Sequence, residues 1–578
     1  MTFQMRKLLY AVFLSVLVSC GPADGTHTLH VLSTNDVHGS WFDSTYVNRH
    51  TRQSLLAVNY YVDSLRRTYG EDNVMLLDAG DCLQGDNASY YYNYVDTGSE
   101  HLFSRLMSYM KYDAVTVGNH DVETGHGVYD RVARELKKHG IPFLAGNAVR
   151  NDNGKPYFQP YKVFKRSGMK VLVLGYTNAN NPAWMDESLW SGMHFENLIP
   201  KVQQDVDRLT ARLKPQVVIV SVHSATGNGD GKILESQGLD LYNSLKGVDV
   251  LLCSHDHRQV TFCNGSTALI NTGTRARFLG HGEVKVTVEK GKVQSKEVSG
   301  SLISIDKRKS DPVMKDYFLK DYETVKAFST REIGVLAMDL RTRDAYAGMC
   351  DYVNLLHTAM LKGSGAQISF AAPLKFNSRI RAGMLVYNDL FTIYPYENQL
   401  YTIRMKGREI KSCLEYSYAG WLMEPGSAHV LRIILKDDPR NNQKGWSFVN
   451  RSYNFDSAAG IDYTVDITKP AGNRVDISGM AGGKPFDMDA DYTVAVTSYR
   501  ASGAGGLLTK GAGISEKELE SRIIHRYPEI REIIYQMILE YGLIDESAVY
   551  DAGRNGTWKF IPEDIASKKI GEDMKLLF

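Results

Sequence analysis

Between residues 27 and 300 the apolar positions gather into short runs separated by stretches of helical period. The runs are Leu29-His30-Val31-Leu32, Val74-Met75-Leu76-Leu77, Ala114-Val115-Thr116-Val117, Val171-Leu172-Val173-Leu174, Val217-Val218-Ile219-Val220 and Val248-Asp249-Val250-Leu251-Leu252. Tyr129 to His139 and Ile199 to Leu213 carry 3.6-type spacing between them. Near-continuously apolar strands that alternate with helices predict sheets covered on both faces, an α/β layered domain over 27–300. Residues 301–330 are polar, with Ser310-Asp311-Pro312 as a helix start, and read as a linker helix in which a hinge is expected. A second domain is expected over 331–545, helical early (Asp351 to Leu361) and rich in strands and turns later (Tyr401 to Val496). Residues 546–578 read as a peripheral tail.

A chain of 578 residues exceeds one ordinary core, so at least two domains are expected. A hydrophobic share of 43% and a charged share of 23% are those of a folded globular protein. The formal net charge of +1 excludes a global basic field that would hold a nucleic acid, so any phosphate recognition must be local. The first twenty residues read as a targeting segment: Arg6 and Lys7, then an apolar core from Leu8 to Val18, too short for a membrane span. The ending Leu17-Val18-Ser19-Cys20 resembles a bacterial lipoprotein signal, which implies export, lipidation of Cys20, and a periplasmic location on a membrane anchor, the outer membrane being one destination. Of the five remaining cysteines no two form a C-x-x-C pair, and a disulfide between Cys253 and Cys263 stays open. Gly227-Asn228-Gly229-Asp230-Gly231-Lys232 lacks the Ser or Thr of a Walker loop and reads as a flexible turn.

The candidate chemistry sits where the strands end. Asp36 and His38 follow the first run in Thr34-Asn35-Asp36-Val37-His38-Gly39, two apart and so on one side of extended backbone. Asp78 and Asp81 follow the second in Leu77-Asp78-Ala79-Gly80-Asp81, where Gly80 permits a sharp turn; Asp78 fits a turn role as well as a ligand role. Asn119, His120 and Glu123 follow the third, His223 the fifth, and His255 and His257 the sixth. A lone His or Asp is more often a cap or a surface residue than a ligand. Five such clusters at the carboxyl ends of strands in an open α/β sheet point to one divalent metal site. Nitrogen and oxygen donors without thiolate suit Zn, Mn, Co or Fe. Two cations sharing Asp81 would account for so many ligands. Such a pair clamps an oxyanion and lowers the pKa of a bridging water, and its natural electrophile is a phosphoryl group.

Together D-x-H, G-D-x-x-Q-G, G-N-H-[DE], a strand-end His and S-H-x-H resemble the motif set of the calcineurin-like metallophosphoesterases. The resemblance implies a two-sheet α/β/β/α sandwich with one cation held by Asp36, His38, Asp81 and His257 and the other by Asp81, Asn119, His223 and His255. It makes His120 the residue that stabilises the transition state, with Glu123, three residues on, as its carboxylate partner.

In the second domain Lys375, Arg379 and Arg381 collect in a loop after an apolar strand, ahead of Tyr387-Asn388-Asp389-Leu390-Phe391 and Tyr394-Pro395-Tyr396-Glu397-Asn398. Arginine holds phosphate bidentately and Asn398 can read a base or ribose edge. Tyr453-Asn454-Phe455-Asp456 and Ser498-Tyr499-Arg500-Ala501-Ser502-Gly503 supply rings on glycine-bearing loops, with Phe455 and Tyr499 either core residues or the two walls of a base slot. These stretches resemble the C-terminal α/β domain of the 5′-nucleotidase family, whose two aromatics sandwich the base. Within it they are similar to the periplasmic 2′,3′-cyclic-nucleotide 2′-phosphodiesterase/3′-nucleotidase branch, although Ile380-Arg381-Ala382-Gly383 retains the end of the 5′-nucleotidase pattern. The expected activity is hydrolysis of nucleotides by a hydroxide bridging two divalent cations, the base lying between Phe455 and Tyr499. The alternatives are a 5′-nucleotidase or UDP-sugar hydrolase, and a tethered nucleotide-binding protein without activity. The expected partner is a small-molecule nucleotide, with no stable nucleic-acid complex and membrane contact only through the lipid on Cys20.

Overall fold

The computed structural model describes residues 22–438 and 443–578, so the targeting segment and Cys20 lie outside the described residues. The chain forms two compact units, the first running essentially to Tyr322 and the second from Glu323 to Phe578, with Tyr46–Asn48 and Pro182–Glu187 counted with the second.

The first unit holds two six-stranded sheets. The strands of these sheets are β1 (Gly25–Thr34), β2 (Val74–Asp78), β3 (Ala114–Thr116), β4 (Phe143–Leu144), β5 (Tyr161–Arg166), β6 (Met169–Tyr176), β7 (Val217–Val222), β8 (Val250–Leu252), β9 (Gln259–Cys263), β10 (Ala268–Thr272), β11 (Phe278–Glu289) and β12 (Lys292–Ser304). One sheet runs β12-β11-β1-β2-β3-β4, parallel from β1 to β4; the other runs β9-β10-β8-β7-β6-β5, parallel from β6 through β10. Leu29, Val31, Met75 and Leu77 of the first sheet pack in one core with Val171, Val173, Ile219, Leu252 and Ile270 of the second. The apolar runs are continuous because each central strand also meets a helix on its far side. Leu172, Leu174, Val218 and Val220 pack against Leu198, Val202, Val206 and Leu209 of the helix Leu198–Leu213. The helices α1 (Leu55–Tyr69) and His126–Lys138 bury apolar stripes in the same unit. The result is the α/β/β/α sandwich that the motifs imply, and it puts Thr34, Asp78, Thr116, Val222 and Leu252 at the carboxyl ends of five parallel strands.

The expected linker is structured. Strand β12 runs to Ser304, Asp311 caps the helix Pro312–Tyr317 through Val313 N and Met314 N, and Arg105 holds Asp321 by two hydrogen bonds of 2.6 and 3.0 Å. Residues 305–322 therefore belong to the first unit.

The second unit is built on a five-stranded sheet ordered Ser457–Ala459, Ile368–Ala371, Asp491–Thr497, Gln399–Lys406, Ile523–Glu529. The helix Gly407–Trp421 packs Cys413, Leu414, Tyr418 and Trp421 into its core. The expectation of a peripheral tail after residue 545 is corrected here. Strand Trp558–Ile561 pairs in parallel with Ile461–Asp466, and Trp558, Phe560, Ala566, Ile570 and Leu577 are core residues. Apolar positions spaced along Glu563–Leu577 needed a face to cover, and this unit supplies it. Cys253 and Cys263 are both free thiols, one buried and one exposed.

Candidate metal centre

The strand ends turn their side chains inward at a conformational cost. Asp36, His38, Asp81, His255 and His257 all have positive φ, between 47° and 70°, a region non-glycine residues seldom occupy. Each such residue costs on the order of 1–3 kcal/mol and is held by its surroundings. Those surroundings are visible: Asp36 N donates to Gly80 O at 2.9 Å, His38 N to Asp81 O at 3.0 Å, and His255 N to the Asp36 carboxylate at 2.9 Å. Gly80 has φ +98°, and a Cβ there would lie 2.7 Å from Gly118 N and from His223 Nδ1. A Cβ at Gly118 would meet the Asp81 carboxylate at 2.1 Å. Both glycines are needed for this close approach of backbone and ligands.

The seven residues expected to hold cations gather in two adjoining groups. Asp36, His38 and His257 form one, with 3.0 Å between His38 Nε2 and His257 Nε2 and 3.6 Å between His257 Nε2 and Asp36 Oδ1. Asp81, His223 and His255 form the other. Asn119 Oδ1 joins it, 3.0 Å from His223 Nε2 and 2.9 Å from His255 Nδ1, while Asp81 Oδ2 is 3.2 Å from His223 Nε2. Around a tetrahedral cation with bonds of 2.0–2.1 Å, ligand atoms stand about 3.3 Å apart. The His223 ring places Nδ1 against Ala79 O at 2.8 Å, leaving Nε2 inward, and His38 Nδ1 faces Gln84 O at 3.3 Å in the same manner. Such outer contacts fix which ring nitrogen meets the metal.

The electrostatics ask for positive charge. Burial drives the Asp36 carboxyl up to about 8 against the pull of His223, and its Oδ1 has no hydrogen-bond partner among the described residues. Burial also opposes ionisation of Asp81, but the imidazoles of His223, His120 and His38 hold it well below the usual carboxylate range. Burial lowers His223, and Asp81 more than reverses that, carrying it up to about 9. Burial pushes His38 down and His255 down to about 3. Buried carboxylates and imidazoles satisfy one another only in part here. A divalent cation in each group gives the carboxylates their counter-charge and takes imidazole in its neutral form, so the donor set fits two such ions.

His120 stands beside this centre. Its backbone N–H donates to Asp81 Oδ1 at 2.8 Å, its ring lies 5.4 Å from that of His38, and its Nδ1 meets Glu123 Oε2 at 2.6 Å. The helix Asn119–Glu123 makes that three-residue pairing. Asp78 takes the turn role instead, accepting from Thr34 Oγ1 at 2.6 Å and Gly80 N at 2.8 Å.

Three supporting residues escaped the sequence reading. Asp121, buried, accepts from the backbone N–H groups of Asp81, Cys82, Leu83 and Gly118 at 2.8–3.0 Å and so ties two strand ends together. Asn35 donates to Asp36 Oδ2 at 2.6 Å, and Gln84 Nε2 donates to Glu123 Oε2 at 3.1 Å. Gln84 and Asp121 stand inside G-D-x-x-Q-G and G-N-H-[DE], and Asn35 directly precedes Asp36, the signal that would have found them.

In the second unit the expected base slot needs correction. Phe455 is 1% exposed, stacked on Trp421 at 5.3 Å and 11° and edge-on to Phe448 at 5.0 Å, so no face remains for a base. The three-residue turn Ser452–Asn454 sends Phe455 inward and leaves Tyr453 half-buried. Tyr499 is half-buried too, and Tyr396, exposed, lies 6.4 Å from Tyr453. Burial, with Tyr453 and Tyr499 near, pushes the Tyr396 hydroxyl up to about 12. Arg500, 3% exposed, binds the loops together: it pairs with Asp456 at 2.5 Å and donates to Asn454 Oδ1 at 3.0 Å and Tyr453 O at 2.8 Å. Arg531, also buried, donates to Tyr394 O and Tyr396 O at 3.0 Å each. Among the expected polar contacts, Arg379 is paired with Asp339, Lys375 Nζ donates to Phe391 O at 3.3 Å and Asn398 Nδ2 to Tyr394 Oη at 3.3 Å. Arg381 is exposed and makes no ion pair among the described residues.

Residues 29–259 match the family model of the calcineurin-like phosphoesterases, and residues 327–510 match that of the 5′-nucleotidase C-terminal domain. Fold and site thus define a hydrolase of phosphoester bonds in a class that works with two divalent metal ions. The chain is 23% identical to a 2′,3′-cyclic-nucleotide 2′-phosphodiesterase/3′-nucleotidase of Haemophilus influenzae, over 92% of this chain and 87% of that protein. It is 22% identical to a trifunctional nucleotide phosphoesterase of Bacillus subtilis over 92% of this chain, but spans only 39% of that protein's length. A candidate 5′-nucleotidase from Staphylococcus aureus, solved with alpha-ketoglutarate, superposes with a TM-score of 0.74 at 21% identity, covering 92% of this chain and 99% of that one. The chain thus carries, in this order, a calcineurin-like phosphoesterase domain and a 5′-nucleotidase C-terminal domain.

Proposed function

We propose that this protein is a metal-dependent nucleotide phosphohydrolase acting as a 2′,3′-cyclic-nucleotide 2′-phosphodiesterase/3′-nucleotidase. The observation that carries the reading is the convergence of Asp36, His38, Asp81, Asn119, His223, His255 and His257 in two ligand groups with the His120–Glu123 pair beside them. Asp36, His38 and His257 would hold one cation, Asn119, His223 and His255 the other, with Asp81 placed to serve both. When bound, the ions neutralise charge developing on a phosphoryl group and acidify a water molecule.

The chain's own residues do the rest. His120 donates its Nδ1–H to the Glu123 carboxylate, which orients the ring, and in the imidazolium form its Nε2–H meets the phosphoryl oxygen or protonates the leaving ribose oxygen. Asp121 keeps the Asp81 and Asn119 turns in register. In the second unit Tyr453 and Tyr499, with Tyr396 near, provide ring faces for a base, and their tolerance of any flat base predicts broad base use. Arg379 is committed to Asp339, which leaves Arg381 as the cation for phosphate or ribose. Export with lipidation at Cys20 is part of the same proposal, and labelled palmitate carried by the wild-type chain but not by Cys20→Ala tests it.

A panel of 2′,3′-cyclic, 3′- and 5′-nucleotides with purified protein and defined metals tests the reading. Preference for cyclic and 3′ substrates is expected. Preference for 5′-nucleotides makes the protein a 5′-nucleotidase, and nucleotide binding without phosphate release makes it a binding protein.

A further inference from the structure

A third cluster of ligand atoms lies away from the strand ends. Strand β1 presents His30, and β11 presents His281 and Glu283, two apart and hence on one face of the sheet. The antiparallel register puts His30 directly opposite Glu283 and Leu32 opposite His281, so His281 is the diagonal neighbour of His30. The neighbouring side chains Leu29 and Val31 point into the core between the sheets, so His30 faces the other way. There it stacks on Tyr69, the last residue of α1, with centroids 3.7 Å apart and 18° between planes, and is 4% exposed.

The ligand atoms converge. His30 Nδ1 is 3.0 Å from His281 Nε2 and 3.6 Å from Glu283 Oε2, and one donor atom from each residue lies within 4.8 Å of the others. These are the spacings of the first cation group, where two imidazole nitrogens are 3.0 Å apart and a carboxylate oxygen 3.6 Å away. They bracket the separation of about 3.3 Å expected around tetrahedral zinc. Lys285 engages the other carboxylate oxygen, Oε1, at 3.1 Å, which leaves Oε2 directed at the imidazoles. Burial holds both His30 and His281 below the usual imidazole range, toward the neutral form that metals bind. The Glu283 side chain is 28% exposed, so an ion can enter and water can complete the coordination.

We infer that His30, His281 and Glu283 form a third divalent-cation site, of the two-histidine, one-carboxylate kind suited to zinc or cobalt, separate from the hydrolytic centre. Imidazole donors disfavour magnesium and calcium, which take oxygen ligands. His30 stands four residues before Thr34, the last residue of β1, about 13 Å in extended backbone, and Asp36 follows two residues beyond that end. The ion would pin β1 to β11 at the strand whose far end carries Asp36 and His38. Its role is structural, and none of the three residues belongs to the hydrolytic machinery.

The test is metal stoichiometry of the full chain, stripped with chelator and dialysed against buffered Zn2+, or against Co2+ with its absorption spectrum recorded. Wild type should take up three equivalents, and His281→Gln or Glu283→Gln two, with phosphate release retained. Asp81→Ala, which removes the shared ligand of the hydrolytic pair, should keep a tight equivalent and its cobalt spectrum, and should lose it when His281→Gln is added. Two equivalents in the wild type, or three unchanged in the well-folded Glu283→Gln variant, overturn the third site while leaving the hydrolytic pair standing. Loss of activity in Asp81→Ala with the last equivalent still titrating through His281 separates the two claims in the opposite sense.

Discussion

The two units hold their chemistry by opposite means. In the first, polar residues are forced together on short turns: five ligand residues sit at positive φ, and backbone N–H groups of one strand end bond to carboxylates of another. In the second, the rings Tyr453 and Tyr499 ride on the short helical turns Ser452–Asn454 and Ser498–Ala501, and two buried guanidinium groups, Arg500 and Arg531, tie the surrounding loops down from behind. A centre built from strand ends tolerates no shift without losing ligands, whereas loops held by a buried arginine keep their rings free for a flat ligand. The contrast predicts that damage in the first unit removes turnover, while damage in the second weakens binding or unfolds the loops.

The largest effect is expected for Asp81→Ala, which removes the carboxylate common to both groups. Phosphate release should fall by on the order of 10³-fold or more in kcat, with the hydrolytic pair of metals lost on dialysis. Turnover close to that of the wild type would remove the contrast. His120→Asn and Glu123→Gln should keep the metals and reduce kcat by roughly 10²-fold for the histidine and less for the carboxylate, with KM little changed.

Arg500→Met should leave the metal content untouched and instead destabilise the second unit by about 3–5 kcal/mol, because Asp456 then stays buried without its partner. A separate, lower unfolding transition in calorimetry checks this. Tyr453→Ala and Tyr499→Ala should each raise KM by roughly 5- to 100-fold, a stacking loss of about 1–3 kcal/mol, at unchanged metal content. Phe455→Leu should leave KM alone and lower stability through the core contact with Trp421. A KM effect at Phe455 larger than at Tyr453 would reverse the assignment of the rings.

The smallest effect at neutral pH is electrostatic, because it develops only on acidification. His357 is 2% exposed, faces Ser369 Oγ at 2.8 Å and Ser457 Oγ at 3.2 Å, and burial pushes it down from 6.5 to about 3. Between those values the unfolded chain binds a proton that the folded one does not. Stability of the second unit should therefore fall as pH drops through that window, by up to about 1.4 kcal/mol per pH unit. His357→Gln should flatten the acid limb of the melting-temperature profile.

The strand-end ligands were readable because each follows an apolar run whose direction is unambiguous, so a position in sequence becomes a position at one sheet edge. Asp121 and Asn35 lay inside those motifs, but nothing in the order of residues tells a supporting carboxylate from a ligand. The rings were harder. Tyr453 and Phe455 are two apart, which in a strand would put them on one face, but the tight turn Ser452–Asn454 separates them. The tail after residue 545 looked peripheral because its partner strand, Ile461–Asp466, is some hundred residues away. His30, His281 and Glu283 are not legible as a group for the same reason, since only strand register brings L-H-V and H-G-E together.

The most direct measurement is anomalous diffraction from crystals of the manganese-loaded chain. At the strand ends two peaks about 3.5–4 Å apart are predicted, one ligated by Asp36, His38 and His257, the other by Asn119, His223 and His255, with Asp81 between them. Phosphate release by a protein whose crystals show no cation at these seven side chains would contradict the account.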